Sequence, residues 1–96
     1  MKNILFIQNW FASQCDGDWE HDYGVKIETI DNPGWSVEID LKDTVNETLS
    51  IEYQLMEKSK NDWYGYQVKD GVFSGGGDPS KLTVLLDIFI NLIVEQ

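Results

Sequence analysis

Asp31-Asn32-Pro33-Gly34-Trp35-Ser36-Val37-Glu38-Ile39-Asp40-Leu41-Lys42 is the stretch that decides the fold. Trp35, Val37, Ile39 and Leu41 alternate with Ser36, Glu38, Asp40 and Lys42. That period of two belongs to a strand with one face on a core and the other in water. Asp31 to Gly34 reads as the turn before it. Pro33 presets φ, and Gly34 is expected to supply φ > 0 at a type II position. Upstream, Val25-Lys26-Ile27-Glu28 alternates and reads as another strand. Downstream, a third strand is expected at about residues 49–56. There Leu49, Ile51, Tyr53 and Leu55 point one way and Ser50, Glu52 and Gln54 the other. Trp63 to Lys69 reads as a fourth, with Tyr64, Tyr66 and Val68 on one face. Asp70-Gly71 is a strong hairpin signal. Val72-Phe73 begins a short fifth strand, which Gly75-Gly76-Gly77 is expected to stop.

Helical patterns flank these strands. Residues 3–14 place Ile4, Ile7 and Phe11, with Leu5 and Trp10 beside them, at helical spacing. Asp16-Gly17 is expected to close that helix. Asp78-Pro79-Ser80 is expected to open the last one, with Asp78 as N-cap and Pro79 at the first helical position. Leu82, Leu85, Leu86, Phe89, Leu92 and Ile93 then form one apolar stripe. Trp10, Trp35 and Trp63 are expected in the core. The expected architecture is a single α+β domain over residues 1–96. It is two-layered: four or five antiparallel meander strands covered by an N-terminal and a C-terminal helix.

The chain has 96 residues, of which 42% are hydrophobic and 25% charged, as in an ordinary globular domain. Its formal net charge is -10. Every base is Lys, and Arg, the usual residue for bidentate phosphate contacts, is missing. Such a surface is repelled by DNA, RNA and anionic lipid, so neither nucleic acid nor membrane is the expected partner. A basic partner is its electrostatic complement; solubility is the bland alternative. Twelve acids lie between Asp16 and Glu57, against Lys26 and Lys42 alone; elsewhere five acids meet five lysines. Solubility does not require that concentration. Cys15 is the only cysteine, which excludes an intrachain disulfide and fits a reducing, cytoplasmic location. The apolar start of the chain breaks at Gln8-Asn9, with no cleavage-site pattern after it.

Cys15-Asp16-Gly17-Asp18-Trp19-Glu20-His21-Asp22-Tyr23-Gly24 gathers four acids, a histidine and two aromatics in one expected loop. Several readings of it are open. Asp16, Asp18 and Glu20 stand at alternate positions, as at the start of a calcium loop. His21, however, replaces the turn glycine, and Glu28 falls one residue past the closing position. Zinc has only Cys15 and His21, so no metal or other cofactor is expected. Cys15, His21 and an Asp are the ingredients of a nucleophile–base set, but no oxyanion-hole motif accompanies them and no catalytic residue is assigned. Trp19 and Tyr23 ringed by acids suit a protein-binding surface. Finally, Trp19 and His21 could pack onto the domain while the aspartates cap turns.

Three blocks carry a family resemblance: Cys15 to His21; Tyr23-Gly24-Val25-Lys26-Ile27; and Asp31-Asn32-Pro33-Gly34-Trp35. With Trp10, Ile39-Asp40-Leu41, Asn61-Asp62-Trp63 and the Gly-rich segment before the last helix, they resemble the immunity protein 53 family. The resemblance covers nearly the whole chain. It implies a non-enzymatic cytoplasmic antidote of a bacterial polymorphic toxin system, which binds a cognate protein toxin and blocks it stoichiometrically. Many such toxins are basic nucleases. On that reading Asp16, Asp18, Glu20 and Asp22 supply electrostatics and Trp19 an anchor, with Glu28, Glu38 and Asp40 next. Cys15, Gly17, His21 and Asp31, Asn32, Pro33, Gly34 and Trp35 form a shared motif that can equally define the fold. Specificity then falls to residues 43–62, and the protein acts as a monomer or homodimer. The alternative is a small metal- or ligand-binding domain that uses loop 15–22.

Overall fold

A computed structural model describes residues 2–95, so Met1 and Gln96 of the 1–96 unit lie outside the described residues. The order is α1 (Lys2–Gln14), α2 (Trp19–Asp22), β1 (Val25–Ile30), β2 (Gly34–Asp40), β3 (Ile51–Ser59), β4 (Asp62–Lys69), β5 (Val72–Gly77) and α3 (Leu82–Val94). The expected α+β architecture holds: the five strands form one open sheet in which every pair is antiparallel.

The strand order is β1-β2-β5-β4-β3, so the sheet is not a straight meander. The segment after β2 carries the chain to the far edge. β3, β4 and β5 then return as a meander, which leaves β5 beside β2. The Asp70-Gly71 hairpin is as expected: φ is 54° and 77°, positive at both central residues as a type I′ turn requires.

The three glycines do not stop β5. Gly75 pairs with Val37 and Tyr66, and Gly77 with Trp35 and Tyr64, so β5 is the fully paired middle strand. A Cβ on Gly75 would sit 3.0 Å from Leu85 Cδ2, and one on Gly77 2.8 Å from Lys81 Cβ. A strand end without side chains, Gly75 to Gly77, is what lets the start of α3 lie close on the sheet. On the opposite face the Trp63 ring reaches towards Gly76, 3.9 Å from the position of an added Cβ. Trp63 is thus half-buried on the face away from the helices, not in the core. Gly34 also differs from expectation. It has no positive φ; a Cβ there would collide with the backbone carbonyl of Gly77. Close approach of two strands, and not turn geometry, requires that glycine.

The core lies between the sheet and α3. Val37, Ile39 and Leu41 project from and just beyond β2, Phe73 from β5 and Val68 from β4, against Leu85, Leu86 and Phe89 of α3. Ile7 and Trp10 of α1 join from the side, since α1 packs chiefly on α3. Trp10 meets Phe89 edge-on, with ring centroids 5.2 Å apart, and Phe89 meets Phe73 at 5.5 Å. Pairs in this geometry contribute about 0.5–1.5 kcal/mol beyond their buried area.

β3 departs from simple alternation. Ile51 pairs with Val68, but Gln54 pairs with Tyr66, so a bulge lies between them. Ile51 faces the helix side, whereas Tyr53 and Leu55 face away from it, over Gly65.

Asp78 does not cap α3. The helix starts at Leu82, and Asp78-Pro79-Ser80 forms a turn before it. The Asp78 side chain is buried, at 2% exposure for the residue, and accepts hydrogen bonds from Trp63 N (2.8 Å), Ser80 N (2.8 Å), Ser80 Oγ (2.6 Å) and Lys81 Nζ (2.8 Å). Lys81 also reaches Asp62 at 2.7 Å. One carboxylate thereby ties the start of β4 to the approach to α3. The Lys81 ammonium, then the Ser80 hydroxyl, hold the Asp78 carboxyl far below the ordinary carboxylate range.

A carboxyl whose pKa is depressed by folding stabilises the protein above its unfolded value of about 3.9, and that stability drains away as pH falls towards the folded value. Asp78→Ala orphans the Trp63 N–H and leaves Lys81 with Asp62 as its one carboxylate partner, and is expected to lower the thermal midpoint at neutral pH by roughly 5–10 °C. It is also expected to flatten the loss of stability between about pH 4 and pH 2. Thermal melts of both proteins across that range check both effects.

Candidate functional site

The stretch expected as a loop contains a helical turn, α2, and its local bonds explain the sequence. Gly17 takes φ 100°, a conformation strained for any side chain. The Asp16 carboxylate accepts from Asp18 N (2.9 Å) and Trp19 N (3.0 Å), covering N–H groups at the start of α2. The Glu20 carboxylate reaches back to Asp16 N (3.0 Å) and Gly17 N (2.9 Å). This reciprocal pattern is the logic of a capping box. Backbone N–H groups of Trp19 and Asp18 hold the Asp16 carboxyl below its ordinary range. Backbone N–H groups, its own first, do the same for Glu20.

Trp19 is not a surface anchor. It is 5% exposed, and its indole N–H donates to Lys42 O at 2.8 Å. Its ring stands edge-on to Trp10 (5.9 Å, 85°) and lies near Phe11 and Tyr23. Burial of the largest apolar side chain of α2 fixes that turn to the core and leaves only a small edge of Trp19 at the surface.

Asp40 is also committed in part: its carboxylate accepts from Gly24 N at 2.9 Å, pinning the entry to β1 onto β2. Among the described residues, the carboxylates of Asp18, Asp22, Glu28 and Glu38 have no hydrogen-bonding partner, and all four residues are exposed. Cross-strand register places Lys26 and Asp40 on the same sheet face as Glu28 and Glu38. That face is turned away from α3.

The fold brings these acids together. A cleft of about 390 Å³ between α2 and the β1–β2 edge is lined by His21, Asp22, Tyr23, Lys26, Glu38 and Asp40, among others. A neighbouring hollow of about 270 Å³ is lined by Asp16, Asp18, Asp22 and Asp43 around Trp19 and Tyr23. Tyr23 reports their joint field: desolvation and then the charges of Asp43, Asp22, Asp40 and Glu47 push its hydroxyl pKa up. Asp43 lines the site and the charges of Asp43 and Glu47 act on Tyr23, although the sequence reading counts both in the acidic segment without naming them among the candidate binding residues. Asp43 reaches the site because it turns the chain at φ 60°, which a period-based reading of strands does not reveal.

Among the described residues no three His, Cys, Asp or Glu side chains are grouped to hold an ion, and Asp16 and Glu20 aim at backbone N–H groups. Desolvation, then the Glu20 and Asp16 charges, push the Cys15 thiol up, away from the thiolate that nucleophilic chemistry needs. The second motif block packs elsewhere: Trp35 Nε1 donates to Pro79 O at 2.9 Å, and Asn32 and Pro33 lie beside Trp63 and Asp78.

Two measurements test this division of labour. Asp16→Ala and Glu20→Ala each remove a cap and are expected to lower the thermal midpoint by roughly 4–8 °C, whereas Asp18→Asn and Asp22→Asn leave it nearly unchanged or raise it by relieving repulsion. Equal losses at all four positions would refute the assignment. Asp43→Asn is expected to bring the Tyr23 pKa back towards the ordinary tyrosine value, as followed by NMR titration of the tyrosine rings.

No helix among the described residues is long and apolar enough to cross a membrane. No curated protein and no solved structure gives a match to the chain. A family model described as immunity protein 53 does match, over residues 4–94. That span includes α1 to α3 almost entire, the capped turn, the acidic cleft and the Asp78 tie. The chain belongs to the immunity protein 53 family.

Proposed function

We propose that this immunity protein acts in the cytoplasm by binding a cognate, basic toxin domain one to one and covering its active site. The observation that carries the reading is the convergence of Asp18, Asp22, Asp43, Glu47, Glu38 and Asp40 around Tyr23 on a chain of net charge -10. Such crowding costs the free protein some stability through self-repulsion, and a basic partner relieves it. The complementary toxin is one whose own substrate is anionic, a nuclease above all, with a lysine- and arginine-lined groove that the carboxylates occupy in place of phosphate. Family membership supports a role in binding and not in catalysis.

In this reading the acids differ in role. Asp18, Asp22, Asp43, Glu28 and Glu38 project into solvent and supply the contact field, while Asp16, Glu20 and Asp40 add charge from positions fixed by backbone bonds. Exposed charges act mostly on the rate of encounter.

The test uses a candidate cognate toxin domain, sought in the genes adjacent to the one for this chain. Co-expression is expected to restore cell survival and give a one-to-one complex on co-purification. The triple variant Asp18→Asn, Asp22→Asn, Asp43→Asn is expected to stay folded, associate roughly tenfold more slowly at low salt, and lose much of its salt dependence. Unchanged association by the folded triple variant would sink the electrostatic reading. Failure to rescue or bind would sink the whole proposal.

A further inference from the structure

β3 is one of two free edges of the sheet and differs sharply from the other. It is nine residues long, and every residue after Ile51 is exposed. Tyr53, Leu55 and Met56 are 57%, 51% and 55% exposed. Tyr53 and Leu55 lie on the face away from the helices and Met56 on the other, so both faces of the strand offer apolar contact beside unpaired backbone groups. A long edge of this kind, without proline or a central charge, is a template for another strand. The stretch Gln54–Glu57 pairs regularly with β4, between two irregularities, and is the most regular part of the edge.

We propose that β3 pairs antiparallel with β3 of a second copy of this chain. Charge decides both occupant and direction. Glu52 stands at the start of the strand, with Lys58 and Lys60 at and beyond its end. An antiparallel two-fold pairing centred near Leu55 and Met56 sets Glu52 of each copy towards Lys58 and Lys60 of the other. A parallel pairing sets Glu52 against Glu52. Opposite charges facing across a strand pair favour it and like charges oppose it. The wing formed by β3 and β4 is also neutral: Glu52, Glu57 and Asp62 are matched by Lys58, Lys60 and Lys69. Two copies carrying -10 each can approach here with least repulsion. The β1 edge lies among Asp22, Glu28, Asp31 and Glu38, where a second copy is repelled. A basic toxin prefers the acidic end for the same reason, so the two interactions use different ends of the molecule. Buried apolar side chains and strand hydrogen bonds supply the attraction, and the exposed ion pairs set the register.

The experiment is sedimentation equilibrium on the full chain over a concentration series, with no toxin present. The mass is expected to rise with concentration from one 11.1 kDa chain to two. Glu52→Lys alone, and Lys58→Glu with Lys60→Glu, each make the facing charges alike and are expected to weaken dimerisation roughly tenfold or more. Mixing these two variants restores attraction at both ends and is expected to recover dimers of one copy of each, which misfolding of either variant would not produce. A wild-type chain that stays single at every soluble concentration overturns the proposal. So does a dimer indifferent to both variants, or a mixture of folded variants that fails to recover.

Discussion

How closely α3 can approach β5 sets the terms for the rest of the molecule. A helix resting on a sheet normally meets a layer of side chains. Here Gly75 and Gly77 remove that layer at the middle strand, and Leu85 and the stem of Lys81 fill the space. The short separation then requires the chain after Gly77 to turn at once, which the Asp78-Pro79-Ser80 turn achieves. Four donors converging on one buried carboxylate fix that turn. Gly34 belongs to the same constraint, because β2 passes so near Gly77 that no side chain fits between them. Bulk absent from β5 returns around it: Trp35, Tyr64 and Tyr66 on the helix face, Trp63 on the other.

Much of this was legible in the sequence wherever local pattern and tertiary demand agree. The alternation from Trp35 to Leu41, the apolar stripe of α3 and the Asp70-Gly71 turn all appear where expected. Misreadings arose where a residue serves a distant neighbour. Glycine weakens an isolated strand, so Gly75-Gly76-Gly77 reads as a stop; only the packed helix shows why strand and glycine coexist. Gly34 reads as a turn residue because the carbonyl that excludes its side chain lies on a strand more than forty positions away. Asp78 reads as a helix cap because its partner, the Trp63 N–H, lies 15 positions away on β4. Strand order is likewise invisible to a period of two, which records faces and not neighbours.

The acidic segment shows the same limit. Its composition exposed the charge, and its motif exposed the shared loop, but neither could separate carboxylates that build the turn from those that face water. Asp16 and Glu20 are occupied by backbone N–H groups, and Trp19 is sealed against Trp10. Asp43 and Glu47 add to the field at Tyr23 from twenty and twenty-four positions along the chain.

That separation has an evolutionary consequence. Asp18 and Asp22 hold up nothing in the fold, so a substitution at either alters the surface without weakening the scaffold. Under the toxin-binding role proposed above, a chain arranged in this way can follow a changing partner by small steps, each viable, because the residues that keep it folded are not the ones that make contact.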